Sequence, residues 1–345
     1  MTKKFISIFC SIFGLACAQL IASQPEDADS TSRPSDTLTI DRTHRGDTTS
    51  NLELTRDEFV FGGAPYATLS GRLPLRSTSV DLSRAVLVGA AYTGMFVSFH
   101  FIQKNAWWRE RSDFHILEEW RKLKQIDKFG HAFGAYLESY FFSHALLETG
   151  FDWDDATLYG AVMALLTQTL TEIEDGYSRR WGFSPSDEYA NAFGSAFFVA
   201  QHYLPPLQNI IPRWQYVPVS WSGASEHATG NSFIDDYSST SFWYSLKIHN
   251  MLPAAARDYW PKWLMMSFGY AVQGIEQQGV VPSRRYMVAL DYDLGEILPA
   301  GPGFWNWMRQ TLNHFKLPSP VIEFGETTQF YLLFPFRLSI GKVRF

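Results

Sequence analysis

Across residues 127–194, acids, amides and His131 fall at helical spacing amid Phe, Ala, Leu and Tyr. A helix turns about 100° per residue, so positions three, four, seven or eleven apart share a face. Asp127, His131 and Glu138 satisfy that rule, as do Gln168, Glu172 and Asp175, and then Asp187, Asn191 and Gly194. Gly134 falls on the first stripe, where a glycine lets another backbone come close. Acids and a histidine on apolar helices need a partner or a proton to be buried cheaply. The set is therefore either a site or a polar lock between helices.

Two chemistries suit a site. Asp127, His131, Glu172 and Asp187 offer carboxylate oxygens and one imidazole, a donor set for a hard or borderline divalent metal, the candidate cofactor. Alternatively, His131 is a general acid or base oriented by Asp127 or Glu172. That makes His131, Asp127, Glu172, Asp175, Asp187 and Asn191 the candidate catalytic residues. Each has a structural reading beside it. Asp127 can cap a helix that starts at Lys128, Asp187 can cap its own helix, and Asp175 can accept bonds in the turn before Gly176. His131 can be a satisfied core histidine. Polar contacts of this kind also join helices in membranes, at about 1 kcal/mol each. Arg179 and Arg180, in the loop at the helix ends, either hold a lipid phosphate or lie exposed at a membrane surface. No G-x-S-x-G, H-E-x-x-H, phosphate-cradling glycine loop or Cys–His zinc spacing occurs.

The elements that must position these residues are legible in outline. Residues 81–108 begin a helical region, and 85–102 are apolar for about the length that crosses a bilayer. Further helices are expected over 129–149, 156–171 and 188–203. All four are either transmembrane or a bundle with one helix buried in the others, and a bundle lying in or on the membrane fits the aromatic content better. Ser184-Pro185-Ser186-Asp187 reads as a helix start, with an N-cap Ser, Pro at the first position and an acid at the third. Asp152, Asp154 and Asp155 favour a helix N-terminus. Beyond Pro212 the pattern changes to short alternating runs, 242–249, 263–271, 286–294 and 330–340, with a helix over 305–315. The fold class is α+β: a membrane-associated bundle of about four helices, residues 81–212, followed by an antiparallel β-containing region, 213–345. A terminal Phe after an aromatic strand is a feature of outer-membrane barrels, but too few strands are visible for a lone barrel, which needs at least about eight.

Residues 1–18 form an export signal: Lys3 and Lys4, an apolar run over 5–15, then Ala16-Cys17-Ala18. Leu15-Ala16-Cys17 also ends like a lipobox, although Gly14 stands where such a motif usually has Leu. Both cysteines lie in this segment, so the mature chain holds no disulfide or Cys–metal site. Residues 19–50 are polar and nearly free of aromatics, a disordered spacer, and 51–80 are irregular. A 16% aromatic share favours membrane or interface contact. With 29 basic against 35 acidic residues and no basic stripe, nucleic acid is excluded as a partner.

The succession Asp127-Lys128-x-x-His131, Glu172-x-x-Asp175 and Ser184-x-x-Asp187-x-x-x-Asn191-x-x-Gly194 resembles the YfiM-like family of predicted periplasmic lipoproteins. It is more distantly similar to the VanZ-like membrane proteins, which share the D-K-x-x-H, acid and D-x-x-x-N order. The resemblance covers roughly residues 120–205. Asp235-Asp236-Tyr237-Ser238 to Tyr244, Trp260-Pro261-Lys262-Trp263 and Pro318-Ser319-Pro320 are similar to longer members of the first family. It implies a helical envelope protein and supplies no mechanism. The expectation is an exported, periplasm-facing, membrane-associated protein touching lipid, with an envelope partner met by the C-terminal region. The alternatives are a membrane-proximal hydrolase or metal-binding enzyme acting on lipid or cell-wall precursors, and an ion-binding or transporter-like role for the acids.

Overall fold

A computed structural model describes residues 52–222, 236–275, 279–325, 328–336, 339–340 and 343–344. The export signal, the spacer, both cysteines and Asp235 lie outside the described residues. After a short hairpin of β1 (Val60–Phe61) and β2 (Ala64–Pro65), the chain enters α1 (Leu82–Ala106). Asp81 caps α1, its side chain accepting the Arg84 N–H at 3.1 Å. Among the described residues, α1 is the one helix long and apolar enough to cross a membrane, and only 6% of its spanning window is buried.

The helices α2 (Ile126–Thr149), α3 (Trp153–Gly176) and α4 (Pro185–Tyr203) pack against one another instead. Their starts follow from local chemistry. Asp152 accepts the Asp155 N–H at 2.9 Å to open α3, and Ser184 with Pro185 opens α4. Two capping readings are thereby corrected. Asp187 is the third residue of a helix capped by Ser184, and Asp127 lies inside a first turn whose cap position belongs to Gln125. Both carboxylates are thus released from capping. A Cβ on Gly194 would sit 2.0 Å from the Ala132 carbonyl oxygen, so α4 and α2 touch backbone to backbone. Gly134, expected to allow such an approach, faces only the Gln168 side chain.

The entry to α2 is unusual. Leu123, Lys124 and Gln125 carry φ of 47°, 54° and 67°, a left-handed run of residues that each have a Cβ. Each costs about 1 kcal/mol or more. The Tyr270 hydroxyl donates to the Lys124 carbonyl, Arg284 donates to Gln125 Oε1 at 2.7 Å, and Gln125 Nε2 donates to the Trp120 carbonyl at 2.7 Å.

The C-terminal region is a six-stranded antiparallel meander, β3 (Ile210–Tyr216), β4 (Thr240–Leu246), β5 (Leu264–Gln273), β6 (Ser283–Tyr292), β7 (Val321–Phe324) and β8 (Gln329–Tyr331). Short helices α5 (Ile248–Met251) and α6 (Ala254–Arg257) join β4 to β5. Helices α7 (Leu294–Ile297) and α8 (Gly303–Thr311) lie between β6 and β7. A last hairpin pairs β9 (Ser339–Ile340) with β10 (Val343–Arg344). Strands β3 and β7 are additions to the sequence reading. Pro212 sits inside β3, an edge strand, where its missing N–H costs no sheet hydrogen bond. The strand expected over 330–340 is broken after Tyr331.

Charge on this sheet is turned inward, among apolar side chains. One face buries Arg213, Asp291 and Lys316 together, with Asp291 Oδ1 3.3 Å from each cation and the Ser245 and Ser267 hydroxyls donating to Asp291 Oδ2 at 2.7 Å. Arg285 and Glu323 pair on the same face, Nε to Oε1 at 2.6 Å. Around them pack Trp243, Ala271, Met287, Val321 and Phe334. On the other face the register aligns Phe268, Val288, Ile322 and Phe330 in one row, and Tyr270, Tyr286 and Phe324 in the next. Part of that face is covered by α2, where Phe129 stacks on Tyr270 and Phe133 meets Phe242.

Candidate functional site

A cavity of about 440 Å³ lies between α2, α3, the last turns of α1 and the covered end of the sheet. Its walls are apolar: Phe99 of α1 and Trp107 just after it, Phe133 and Leu137 of α2, and Trp214 and Phe242 of the sheet. Its polar end is the helical cluster.

His131 is central. Its Nδ1–H donates to Asn191 Oδ1 at 3.1 Å, which turns Nε2 toward three carboxylates. Nε2 lies 3.7 Å from Asp127 Oδ1, 3.6 Å from Glu172 Oε1 and 3.7 Å from Asp187 Oδ1. These separations are too long for direct hydrogen bonds. One donor atom each from Asp127, His131 and Asp187 lie within 4.8 Å of one another. Glu172 is 1% exposed, and its Oε1 is buried without a hydrogen-bond partner. Outer contacts fix the carboxylates: the Ser184 N–H donates to Glu172 Oε2 at 3.2 Å and the Tyr237 hydroxyl to Asp127 Oδ1 at 3.3 Å.

Lys128 completes the cluster. It pairs with Asp187 Oδ1 and, at 3.2 Å, with Asp127 Oδ2, joining α2 to α4. Sequence reasoning gave Lys128 no role, although it stands three residues before His131 and so shares its face. Tyr237, named only within a stretch similar to longer family members, was likewise given no role in the site, because it arrives from the β-rich region with no periodicity to announce it.

Electrostatics follow from burial and neighbours. Burial alone would lower the His131 imidazolium, but Asp127, Asp187 and Glu172 outweigh it and raise the group to about 9. Burial pushes Glu172 up to about 8 against the pull of His131. For Asp127 burial is overcome by His131 and Lys128, which hold the carboxyl below the usual range. For Lys128, burial is overcome by Asp127 and Asp187, which hold it above its usual value.

Of the candidates, Asp127, His131, Glu172, Asp187 and Asn191 meet in one place. Asp175 lines the same cavity but is taken by the Trp108 indole N–H at 2.6 Å, and burial lifts it to about 7. Glu138 and Gln168 form a separate pair at 2.8 Å farther along α2, with burial raising Glu138 to about 8. Arg179 pairs with exposed Glu110 and Arg180 stacks on Trp181, so neither reaches the cluster.

No curated protein and no solved structure matches the chain. The distant VanZ-like resemblance has no match beside it. Residues 118–202, the stretch that builds this cluster, match the YfiM-like family described as predicted periplasmic lipoprotein (DUF2279), a match that supports an exported, cell-envelope protein.

Proposed function

We propose that this chain is a membrane-associated envelope protein whose helical unit binds a divalent cation through Asp127, His131, Glu172 and Asp187. The observation that carries the reading is the gap between His131 Nε2 and the three carboxylate oxygens, 3.6–3.7 Å. Two donors that each sit about 2.1 Å from a common ion are separated by about that distance. The outer contacts support it: a ligating histidine is normally oriented through its other ring nitrogen, as Asn191 does here. Charge supports it too. Ligation would displace the protons of His131 and Glu172, leaving three carboxylates against Lys128, two negative charges that a divalent ion balances.

Association with lipid is supported by α1. Its spanning window Leu82–Asn105 has 24 residues, about 36 Å at 1.5 Å per residue, against a hydrocarbon core of about 30 Å. Arg84 lies near one end, and Lys104, Trp107 and Arg109 near the other, where aromatic and basic side chains suit the interface. The ion pairs of Lys128 favour a second reading, a polar lock between α2 and α4 that binds nothing.

Elemental analysis and thermal melting of the purified full chain separate the two. The cation reading expects one retained equivalent of metal, a melting temperature lowered by chelator, and loss of both effects in Glu172→Gln. No stoichiometric metal, together with melting indifferent to chelator and to added Mg²⁺, Mn²⁺, Ca²⁺ or Zn²⁺, would leave the lock.

A further inference from the structure

In water, an antiparallel sheet with one covered face keeps its apolar side inward and its charges outward. The C-terminal sheet instead turns its charges inward, beside apolar side chains, and leaves hydrocarbon outward as well. Its buried face carries two ion-paired groups, Arg213–Asp291–Lys316 and Arg285–Glu323, while its open face carries hydrocarbon and rings. Phe268, Ile322 and Phe330 are exposed in one cross-strand row, and Tyr286 and Phe324 in the next. Neither row holds a charged side chain. Burying ion pairs is expensive, so the arrangement is economical only where the other face meets a medium even less hospitable to charge.

We propose that the open face of β5–β8 contacts the acyl chains of a lipid bilayer. Four observations favour lipid over a protein partner. Strands β5 and β6 are each 10 residues, the length of a membrane-crossing strand. Their outward positions between the ends, Met266, Phe268 and Tyr270 on β5 and Tyr286, Val288 and Leu290 on β6, are all apolar or aromatic, as on lipid-facing barrel strands, while every ionised group of the central positions faces inward. The band is bounded along β6 by Arg284 at one end and by Tyr292, stacked with Trp263, at the other. Finally, the covered end of this same face and α1, a second lipid candidate, share the walls of one cavity.

This deepens the membrane reading but uses different residues from the α1 anchor, and the test keeps them apart. Single cysteines replace Phe268, Ile322, Phe330, Leu87 on α1 or Val281, an 85% exposed loop residue, in a full chain carrying Cys10→Ser and Cys17→Ser. Each is labelled with an environment-sensitive fluorophore and reconstituted into phosphatidylethanolamine–phosphatidylglycerol vesicles. Labels on the sheet should be quenched by doxyl-labelled acyl chains, with iodide quenching reduced severalfold relative to Val281→Cys. Iodide quenching equal to that of Val281→Cys would overturn the proposal. If Leu87→Cys is then lipid-quenched, the sheet assignment fails and the anchor stands; if it is not, both fail. Protection from both quenchers with crosslinking between copies assigns the face to a second copy and also overturns it. Circular dichroism of each labelled variant verifies that the sheet is retained.

Discussion

Glu172→Gln discriminates between the charge states the cluster can adopt. In the folded protein burial holds the Glu172 carboxyl up at about 8, whereas the freely solvated group titrates at 4.5. At pH 7 the folded carboxyl therefore keeps its proton and the unfolded one has lost it. A group raised in this way gives its full contribution below 4.5 and loses it as pH climbs toward 8. At about 1.4 kcal/mol per pH unit, the loss accumulated by pH 7 is about 3 kcal/mol. Glutamine has the shape of the protonated acid, can accept the Ser184 N–H, and carries no titration. In cation-free protein, Glu172→Gln should match the parent near pH 4.5 and exceed its stability at pH 7 by up to about 3 kcal/mol. Urea unfolding in detergent with chelator, followed across that range, measures both. In the same variant, cation affinity should fall by at least about tenfold. A variant less stable than the parent at pH 7 by more than about 1 kcal/mol would refute the reasoning. Glu172 would then be an ionised partner of His131 and not a neutral buried acid.

Three further outcomes are expected. Gly194→Ala forces a methyl into the Ala132 carbonyl, and should cost about 2–3 kcal/mol or prevent folding, read by thermal melting. Ser184→Ala removes the α4 cap and should cost about 1 kcal/mol in urea unfolding. His144 and His314 are held down to about 3 and about 4 by burial, so both stay uncharged when folded. Their contribution is complete above the free value of 6.5 and is lost as pH falls, by about 2 kcal/mol each at pH 5. The double variant His144→Gln, His314→Gln should flatten that acid limb; an unchanged limb would exclude the two rings as its cause.

The cluster was legible because helical periodicity survives burial: His131 and Asp127 are four apart, as are Asp187 and Asn191, and the helices bring the two pairs together. The same rule selected Glu138 and Gln168, which satisfy the spacing yet find each other farther along the stripe. Periodicity fixes the face and says nothing of the level along it. Lys128 was passed over because a basic residue among acids looks like a solvated charge until it is seen buried between Asp127 and Asp187. In the sheet, Pro212 concealed β3 because proline disqualifies only a strand bonded on both sides. Strand β7 is four residues long, too short for alternation to stand out.

The left-handed turn at Leu123, Lys124 and Gln125 has a bearing on how this protein can be dissected. Its unfavourable backbone is clamped by Tyr270 and Arg284, both contributed by strands some 150 residues downstream. Asp127 lies two residues past that turn and His131 one helical turn further, so their bearing around the helix axis is inherited from the sheet. Excising residues 118–202 would therefore remove the brace along with the strands. The helices would remain, free to swivel, and the three carboxylates would no longer be obliged to face a single imidazole.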